Sequence, residues 1–321
     1  MRRGYRIESV ANYQLGTFVE VPSRGFRSYD LLSDAEYEEY LEAERLVHRF
    51  LSDYQQFDEV RNSYIEYRNV VNHYSQKYSV KSRTNPVVSG EMNHAINRRL
   101  RTFFTEFYYF VEYAETKLKR QYGKDSEQAK EFKKATSEQF DNSFAYRFVY
   151  HLRHYAQHIN LPINALSLQS GEFDFLTATT NYNLLVETNR DELLNSGFDW
   201  RARDIRPQLR SLPPKFELNT YIEEMMECLE KVYVVFVSIG LPDAKRGAAH
   251  IKNLVEPIGS RGRPCVYHLD VPENVTPSQV VNFVTGVSWI QIELAEFVAN
   301  LPDPATFRQL PAFKVDIGVQ S

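Results

Sequence analysis

Residues 91–121 read EMNHAINRRLRTFFTEFYYFVEYAETKLKRQ. Apolar side chains recur at Met92, Ile96, Leu100, Phe103, Phe104, Phe107, Val111, Ala114 and Leu118, mostly three or four residues apart, and charged residues fill much of the remainder. That spacing is the buried stripe of an α-helix, and Gly123 just beyond it supplies a C-terminal stop. Upstream, Ser33-Asp-Ala-Glu36 has the form of a capping box. It opens a second long helical stretch to about residue 77, carried by Leu41, Leu46, Phe50, Tyr54, Phe57, Tyr64 and Val71. The segment 84–90, with its proline and glycine, reads as the turn between them. Downstream, Asp125 is expected to cap a third helix to about residue 139. Asp141 is expected to cap a fourth over 142–159, where Pro162 discourages continuation. Long helices with short connections describe an antiparallel bundle.

Beyond Pro162 the pattern changes. Residues 171–180 and 183–188 alternate like the two strands of a hairpin, and 17–21 and 265–270 read as single strands. Helical periodicity returns over 216–239, 244–255 and 276–300, with a loop at 259–264. The expected fold is mainly α: an antiparallel helical bundle with a small β-hairpin element in an α+β C-terminal half. The expected divisions are an extended segment over 1–32, a bundle over 33–240 with an inserted hairpin at about 170–188, and a C-terminal extension over 241–321.

Composition narrows the function classes. Lysine and arginine total 38 against 42 aspartates and glutamates, a net charge of -4, which excludes a uniformly basic nucleic-acid coat protein. With 43% hydrophobic residues the chain can build a core, so global disorder is excluded. Two cysteines, Cys228 and Cys265, are too few for a disulfide framework or a cysteine zinc cluster. The basic start at 1–6 is not followed by an apolar stretch of signal-peptide type. The most apolar run, 232–239, falls far short of the ~18 residues of a membrane span and reads as the buried end of a helix. A cytoplasmic protein without membrane contact is the expectation. No phosphate-binding glycine loop is present, since Gly259-Ser-Arg-Gly-Arg lacks the spacing, and no G-x-S-x-G elbow occurs.

One segment stands apart: Tyr146-Arg-Phe-Val-Tyr-His-Leu-Arg-His-Tyr-Ala-Gln-His158. On a helical wheel Arg147, His151, His154 and His158 share a stripe roughly 60° wide. Tyr150 and Gln157 lie beside it, and Arg153 sits further round. The opposite arc holds Phe144, Phe148, Val149, Leu152, Tyr155, Ala156 and Ile159. Several readings fit such a face. It is a solvated surface, or a metal site built on the His151/His154/His158 spacing, although no carboxylate shares the stripe. It is a phosphate- or nucleotide-binding surface without chemistry, or it is a catalytic site acting on RNA. Cleavage through the substrate's own 2′-hydroxyl needs a base, an acid and charge stabilisation. Histidine and arginine supply these without a metal or other cofactor, and a second copy of the helix could complete the set.

Arg153-His154-Tyr-Ala-Gln-His158 resembles the R-x(4–6)-H signature of the HEPN superfamily, and the preceding helices resemble its bacterial host-defence members. The resemblance implies a helical bundle that dimerises and acts as a metal-independent endoribonuclease, in phage defence or a toxin system. It implies Arg153 on the scissile phosphate and His158 as general acid/base. His154 occupies a polar position where asparagine is commoner, with a part in orienting phosphate or in proton transfer. Arg147, Tyr150, His151 and Gln157 are the neighbouring candidates for substrate contact. The implied partners are RNA, single-stranded or tRNA, a second copy of the chain, and a regulatory protein or phage trigger. The alternative is a non-catalytic HEPN-like module that senses nucleotide, RNA or a protein.

Charge is unevenly spread. Residues 89–160 carry 12 basic and 9 acidic side chains, whereas 161–321 carry 14 and 20. Within the positive part, Asn97-Arg-Arg-Leu-Arg101 offers Arg98, Arg99 and Arg101 as phosphate contacts, and Lys117-Leu-Lys-Arg120 is a second basic cluster. Tyr146 and Tyr150 are candidates for stacking on unpaired bases.

Overall fold

A computed structural model describes residues 13–19, 25–79, 86–174, 179–200, 205–259, 262–269 and 284–302. The first long helix, α1 (Asp34–Ser79), runs unbroken for 46 residues. Its start is the capping box read from sequence: the Ser33 amide donates to Glu36 Oε2 at 2.8 Å, and the Glu36 amide donates to Ser33 Oγ at 3.3 Å. The Ser33 hydroxyl also donates to Glu36 Oε2, at 2.7 Å, and the two bonds that Ser33 donates hold the ionised Glu36 carboxyl below its ordinary pKa. The second helix, α2 (Pro86–Tyr122), begins inside the stretch expected to be a turn. Proline lacks only an amide hydrogen that a first turn leaves unpaired, and its φ already suits a helix. The helix ends as anticipated at Gly123, whose φ of 101° an L side chain would resist, with its amide on Lys119 O at 3.1 Å.

Serines, not the expected aspartates, cap the next two helices. Ser126 Oγ accepts from the Ala129 amide at the start of α3 (Glu127–Asn142). Ser143 closes α3 with its amide on Gln139 O, then caps α4 (Phe144–His158) by accepting from the Tyr146 amide at 3.0 Å. A cap accepts from the amide two or three residues on; Ser126 and Ser143 stand at that offset from Ala129 and Tyr146, one and two positions after Asp125 and Asp141.

The hairpin is present as β3 (Ala165–Asp174) and β4 (Thr179–Asn189), antiparallel with Leu168 opposite Leu184. Two short helices follow, α5 (Arg190–Asn195) and α6 (Ile205–Ser211), then β5 (Lys215–Glu217), which adds a third strand beside β4. None of these three was legible in sequence. The helices expected at 216–239 and 244–255 are one, α7 (Asn219–Val255), continuous through Pro242. An interior proline costs a helix about 3 kcal/mol. Burial of Phe236, Val237, Leu241, Ala244 and Ala248 on either side outweighs it. The apolar run at 232–239 accordingly lies within a helix rather than at its end.

The remaining strands are β1 (Tyr13–Val19), β2 (Gly25–Leu32), β6 (Arg263–Leu269) and β7 (Val284–Trp289). They form an antiparallel sheet in the order β2-β1-β6-β7. The helix expected over 276–300 is corrected: 284–289 is β7, α8 spans Ile292–Asn300 only, and 276–283 lies outside the described residues. Gly286, at φ 68°, is the extra residue where the β6–β7 register shifts, so a bulge lets this segment pair as a strand. The architecture is mainly α with small antiparallel sheets. Among the described residues no helix is long and apolar enough to cross a membrane.

The described chain divides into two units. One holds residues up to Asp53 with those from Gly240 to 302, and the other holds 54–239. Helices α1 and α7 contribute to both. In the first unit the two helices meet at a glycine. A Cβ on Gly247 would lie 2.7 Å from Ala43 O and 3.2 Å from Leu46 Cβ.

The second unit is a bundle of α2, α3, α4 and the adjoining parts of α1 and α7. Contacts fix the helix directions. Tyr67 and Arg68 of α1 meet Asn219 and Glu223 of α7, whereas Tyr54 meets Tyr233, so α1 and α7 are antiparallel. Glu66 with Arg99, and Phe57 with Phe110, set α1 antiparallel to α2. The centre is aromatic: Phe57 stacks on Tyr233 at 4.4 Å, and Phe110 meets both edge-on. Arg61 lies over Phe57 and Tyr233 at 4.9 and 5.0 Å and grips Glu230 through Nε and Nη2 at 2.9 and 2.8 Å.

Gly247→Ala should destabilise the protein. Forcing a methyl into a backbone carbonyl costs about 1–3 kcal/mol, more than the ~1 kcal/mol alanine gains as a helix former. Gly90→Ala, where the methyl meets nothing within 4 Å, should stabilise it slightly. Calorimetric melting of the two variants checks the opposite signs.

Candidate phosphate-binding cleft

Helix α4 carries the arginine–histidine segment, and its apolar face packs as its pattern requires. Phe148 lies against Trp200 and Phe216, and Tyr155 against Trp200 and Phe198. Register against α2 is set by Asn97. Its side-chain amide donates to Ile163 O at 3.1 Å and accepts from the Ile163 amide at 3.2 Å. Asn97, placed by sequence in a basic cluster, is 1% exposed and ties α2 to the segment after α4.

This register brings Arg153 over Tyr108 of α2, with the guanidinium carbon 3.7 Å from the ring centroid. Arg153 Nη1 stands 3.4 Å from His154 Nδ1, and its Nε is buried without a hydrogen-bond partner. The His154 ring meets Tyr108 and Tyr150 edge-on at 5.9 and 5.6 Å, and His151 lies 6.4 Å from His154. Burial, reinforced by the neighbouring Tyr108 and Glu112, pushes the Tyr150 phenol up to about 12. Tyr150 is thus a neutral wall of this aromatic shell at physiological pH.

Beside the shell is a surface cleft of about 420 Å³, lined by Arg98, Arg101, Thr102, Phe104, Thr105, Arg153, Ala156 and Gln157. Three arginines from two helices line it and no carboxylate does. The Thr102 and Thr105 hydroxyls donate to Arg98 O and Arg101 O at 3.2 and 3.0 Å. Their protons are committed to the helix backbone. The donors left for a ligand are the arginines and the Gln157 amide. Ala156, expected on the core face, is half-exposed and leaves room between the helices.

The candidates therefore separate. Arg98, Arg101, Arg153 and Gln157 come together in the cleft. His154, His151 and Tyr150 form the adjacent shell. His158 is exposed at the last position of α4 and is not among the residues lining the cleft. Arg99 turns the other way, to Glu66 at 2.6 Å. Arg147, centred on the polar stripe of the wheel, is only 7% exposed. It donates through Nη1 to Phe140 O and Asp141 O, at 2.6 and 2.7 Å, and through Nη2 to Gln208 Oε1 at 3.2 Å. It satisfies the last carbonyls of α3 and serves the bundle. Tyr146 is buried at 2% and offers no stacking surface. In the second basic cluster Lys119 pairs with Glu115, and Lys117 lies over Tyr113 at 5.7 Å. Among the described residues His151, His154 and His158 do not belong to any metal-ligating group of three or more. Sequence reasoning missed Tyr108. Its place seven residues after Arg101 on α2 was a signal, but the pairing with Arg153 needs the helix register.

No family model, no curated protein and no solved structure matches the chain.

Two outcomes follow from this geometry. Arg147→Met should lower stability by about 1–3 kcal/mol, because buried carbonyls lose a charged donor, while leaving anion binding at the cleft unchanged; melting and ligand titration together check it. The second concerns alkaline pH. The Tyr54 and Tyr150 phenols are both raised to about 12 by burial, so the folded state favours their protonated forms. Their stabilising contribution is complete below the ordinary tyrosine pKa of about 10 and is lost as pH rises through about 12. A spectrophotometric titration should show delayed tyrosinate formation accompanied by loss of near-ultraviolet dichroism. Ionisation of every tyrosine near the ordinary value, with the fold intact, would contradict this.

Proposed function

We propose that the protein is a metal-independent endoribonuclease of HEPN type, with Arg153 and His158 as its working pair. The observation that carries this reading is Arg153 at the three-arginine cleft on α2 and α4, with the exposed His158 five residues further along the same helix. In the proposed step the substrate's 2′-hydroxyl gives up its proton to a base and attacks the adjacent phosphorus. The bond to the 5′-oxygen breaks, and that oxygen is protonated by an acid. The products are a 2′,3′-cyclic phosphate and a 5′-hydroxyl. Arg153, held flat on Tyr108, neutralises charge on the phosphorane oxygens. His158 serves as acid or base in its range near neutral pH. His154, one turn before His158, orients phosphate or shares proton transfer. A second copy supplies the complementary acid or base, and the exposed Ile159 and Leu161 immediately after His158 offer it apolar surface. A role in phage defence or as a toxin belongs to the same reading, as does a cytoplasmic setting.

A second reading is supported by the stacking of Arg153 on Tyr108 and by the position of His158 outside the cleft. In that reading the surface recognises RNA or nucleotide, or docks a protein, without cleaving anything.

Incubation with single-stranded RNA and tRNA in EDTA separates the two. The ribonuclease should release fragments ending in 2′,3′-cyclic phosphate. His158→Ala should reduce the rate by roughly 100-fold or more with unchanged melting, and Arg153→Ala should do likewise with a melting point lowered only by the loss of its contact with Tyr108. Cleavage undiminished in the His158→Ala protein would sink the assignment. RNA binding with no fragments from the unaltered protein would favour the recognition module.

A further inference from the structure

We propose that the cleft between α2 and α4 is a receptor for a condensed phosphate chain, the di- or triphosphate carried by a nucleotide or by the 5′ end of an RNA. The inference shares Arg153 with the ribonuclease reading but stands on the α2 wall of the cleft and requires no cleavage.

Charge is the first argument. Arg98 and Arg101 lie one turn apart on α2, facing Arg153 across the cleft. Arg99, between them, is neutralised by Glu66. Among the described residues neither Arg98 nor Arg101 has an ion pair, and no carboxylate lines the cleft. The arginine that faces away is paired, and those that face inward are not. An internal phosphodiester brings one negative charge to such a place, and one guanidinium suffices for it. Three arginines lining one cleft match the three to four charges of a triphosphate.

Shape is the second. A volume of about 420 Å³ falls within the usual range of small-ligand sites. It accommodates a phosphate chain with part of its nucleoside. Phe104 floors the cleft and is 1% exposed, and Ala156 leaves the α4 side open. Donor chemistry is the third. With the threonine hydroxyls bonded to the α2 backbone, the remaining donors are guanidinium forks and the Gln157 amide, a set made for phosphate oxygens. Tyr108 holds the Arg153 plane in place before any ligand arrives, which lowers the entropic cost of engaging it.

Isothermal titration of the full chain tests this with inorganic tripolyphosphate, orthophosphate, ATP, and one RNA oligomer carrying either a 5′-triphosphate or a 5′-hydroxyl. The RNA arms use the His158→Ala protein so that the ligand is not consumed. Tripolyphosphate should bind at least about tenfold more tightly than orthophosphate. Whichever of ATP and 5′-triphosphate RNA exceeds tripolyphosphate identifies the carrier. Arg98→Gln and Arg101→Gln should each weaken tripolyphosphate by about tenfold, and Arg99→Gln should not. Ala156→Leu keeps every charge and should weaken tripolyphosphate binding by narrowing the cleft on its α4 side. Arg98→Gln and Arg101→Gln alter exposed side chains and should melt as the parent does. Equal affinity for orthophosphate and tripolyphosphate, or unchanged binding in both arginine variants, would overturn the proposal. So would 5′-hydroxyl RNA binding as tightly as its triphosphate form, which would assign the cleft to running backbone. Each readout here is binding, so its failure leaves the cleavage test intact, and a failed cleavage test leaves this one intact.

Discussion

The bundle unit is organised around one cation. Arg61 sits between α1 and α7 with its Nε–Nη2 edge on Glu230, its Nη1 3.2 Å from Asp58 Oδ1, and its guanidinium carbon over Phe57 and Tyr233. A half-buried ion pair adds little net stability, since desolvation offsets most of the attraction. Its effect is on which arrangement is stable. Sliding α7 by one turn against α1 would take Glu230 away from Arg61 and leave the guanidinium with Asp58 alone, three residues before it on its own helix. The same register lets the Tyr67 hydroxyl donate to Asn219 at 2.6 Å and the Tyr233 hydroxyl donate to Tyr54 O at 2.9 Å. With α1 and α7 fixed, α2 packs in the groove through Phe103, Phe107 and Phe110, and α4 is placed in turn.

Short-range signals were legible and long-range ones were not. The Ser33 capping box, the stripe of α2 and the Gly123 stop depend on side chains a few residues apart, and each formed as its spacing implied. The β3–β4 hairpin formed too, but over Ala165–Asp174 and Thr179–Asn189 rather than the expected 171–180 and 183–188, so that the expected turn at 181–182 falls within β4. The aspartate caps failed by one or two positions, because Ser126 and Ser143 stand at the required offset. Pro242 and the 276–300 segment failed for another reason. A local penalty at Pro242 is overridden by burial, and the pattern of 284–289 is overridden by a neighbouring strand. Neither neighbour is visible from the local sequence.

The candidate site shows the same division. The wheel of residues 144–158 separated an apolar arc from a polar one, and Phe148, Val149, Leu152 and Tyr155 are indeed buried. It could not show that Arg147 turns back to the end of α3, that Ala156 leaves a gap, or that Tyr108 lies beneath Arg153. Those facts belong to a second helix. The net charge of -4 likewise hides a local surplus, since three of the 38 basic residues converge on one cleft with no acid among its lining.

Asn97 gives that cleft an unusual independence. Its amide bonds to both backbone groups of Ile163 as a neighbouring strand would, so the separation of the two walls is pinned by a buried contact distinct from the lining residues. Exchange of the lining residues leaves that pin untouched. Over evolutionary time the cleft can therefore change the ligand it prefers, arginine by arginine, without renegotiating the frame that holds it open.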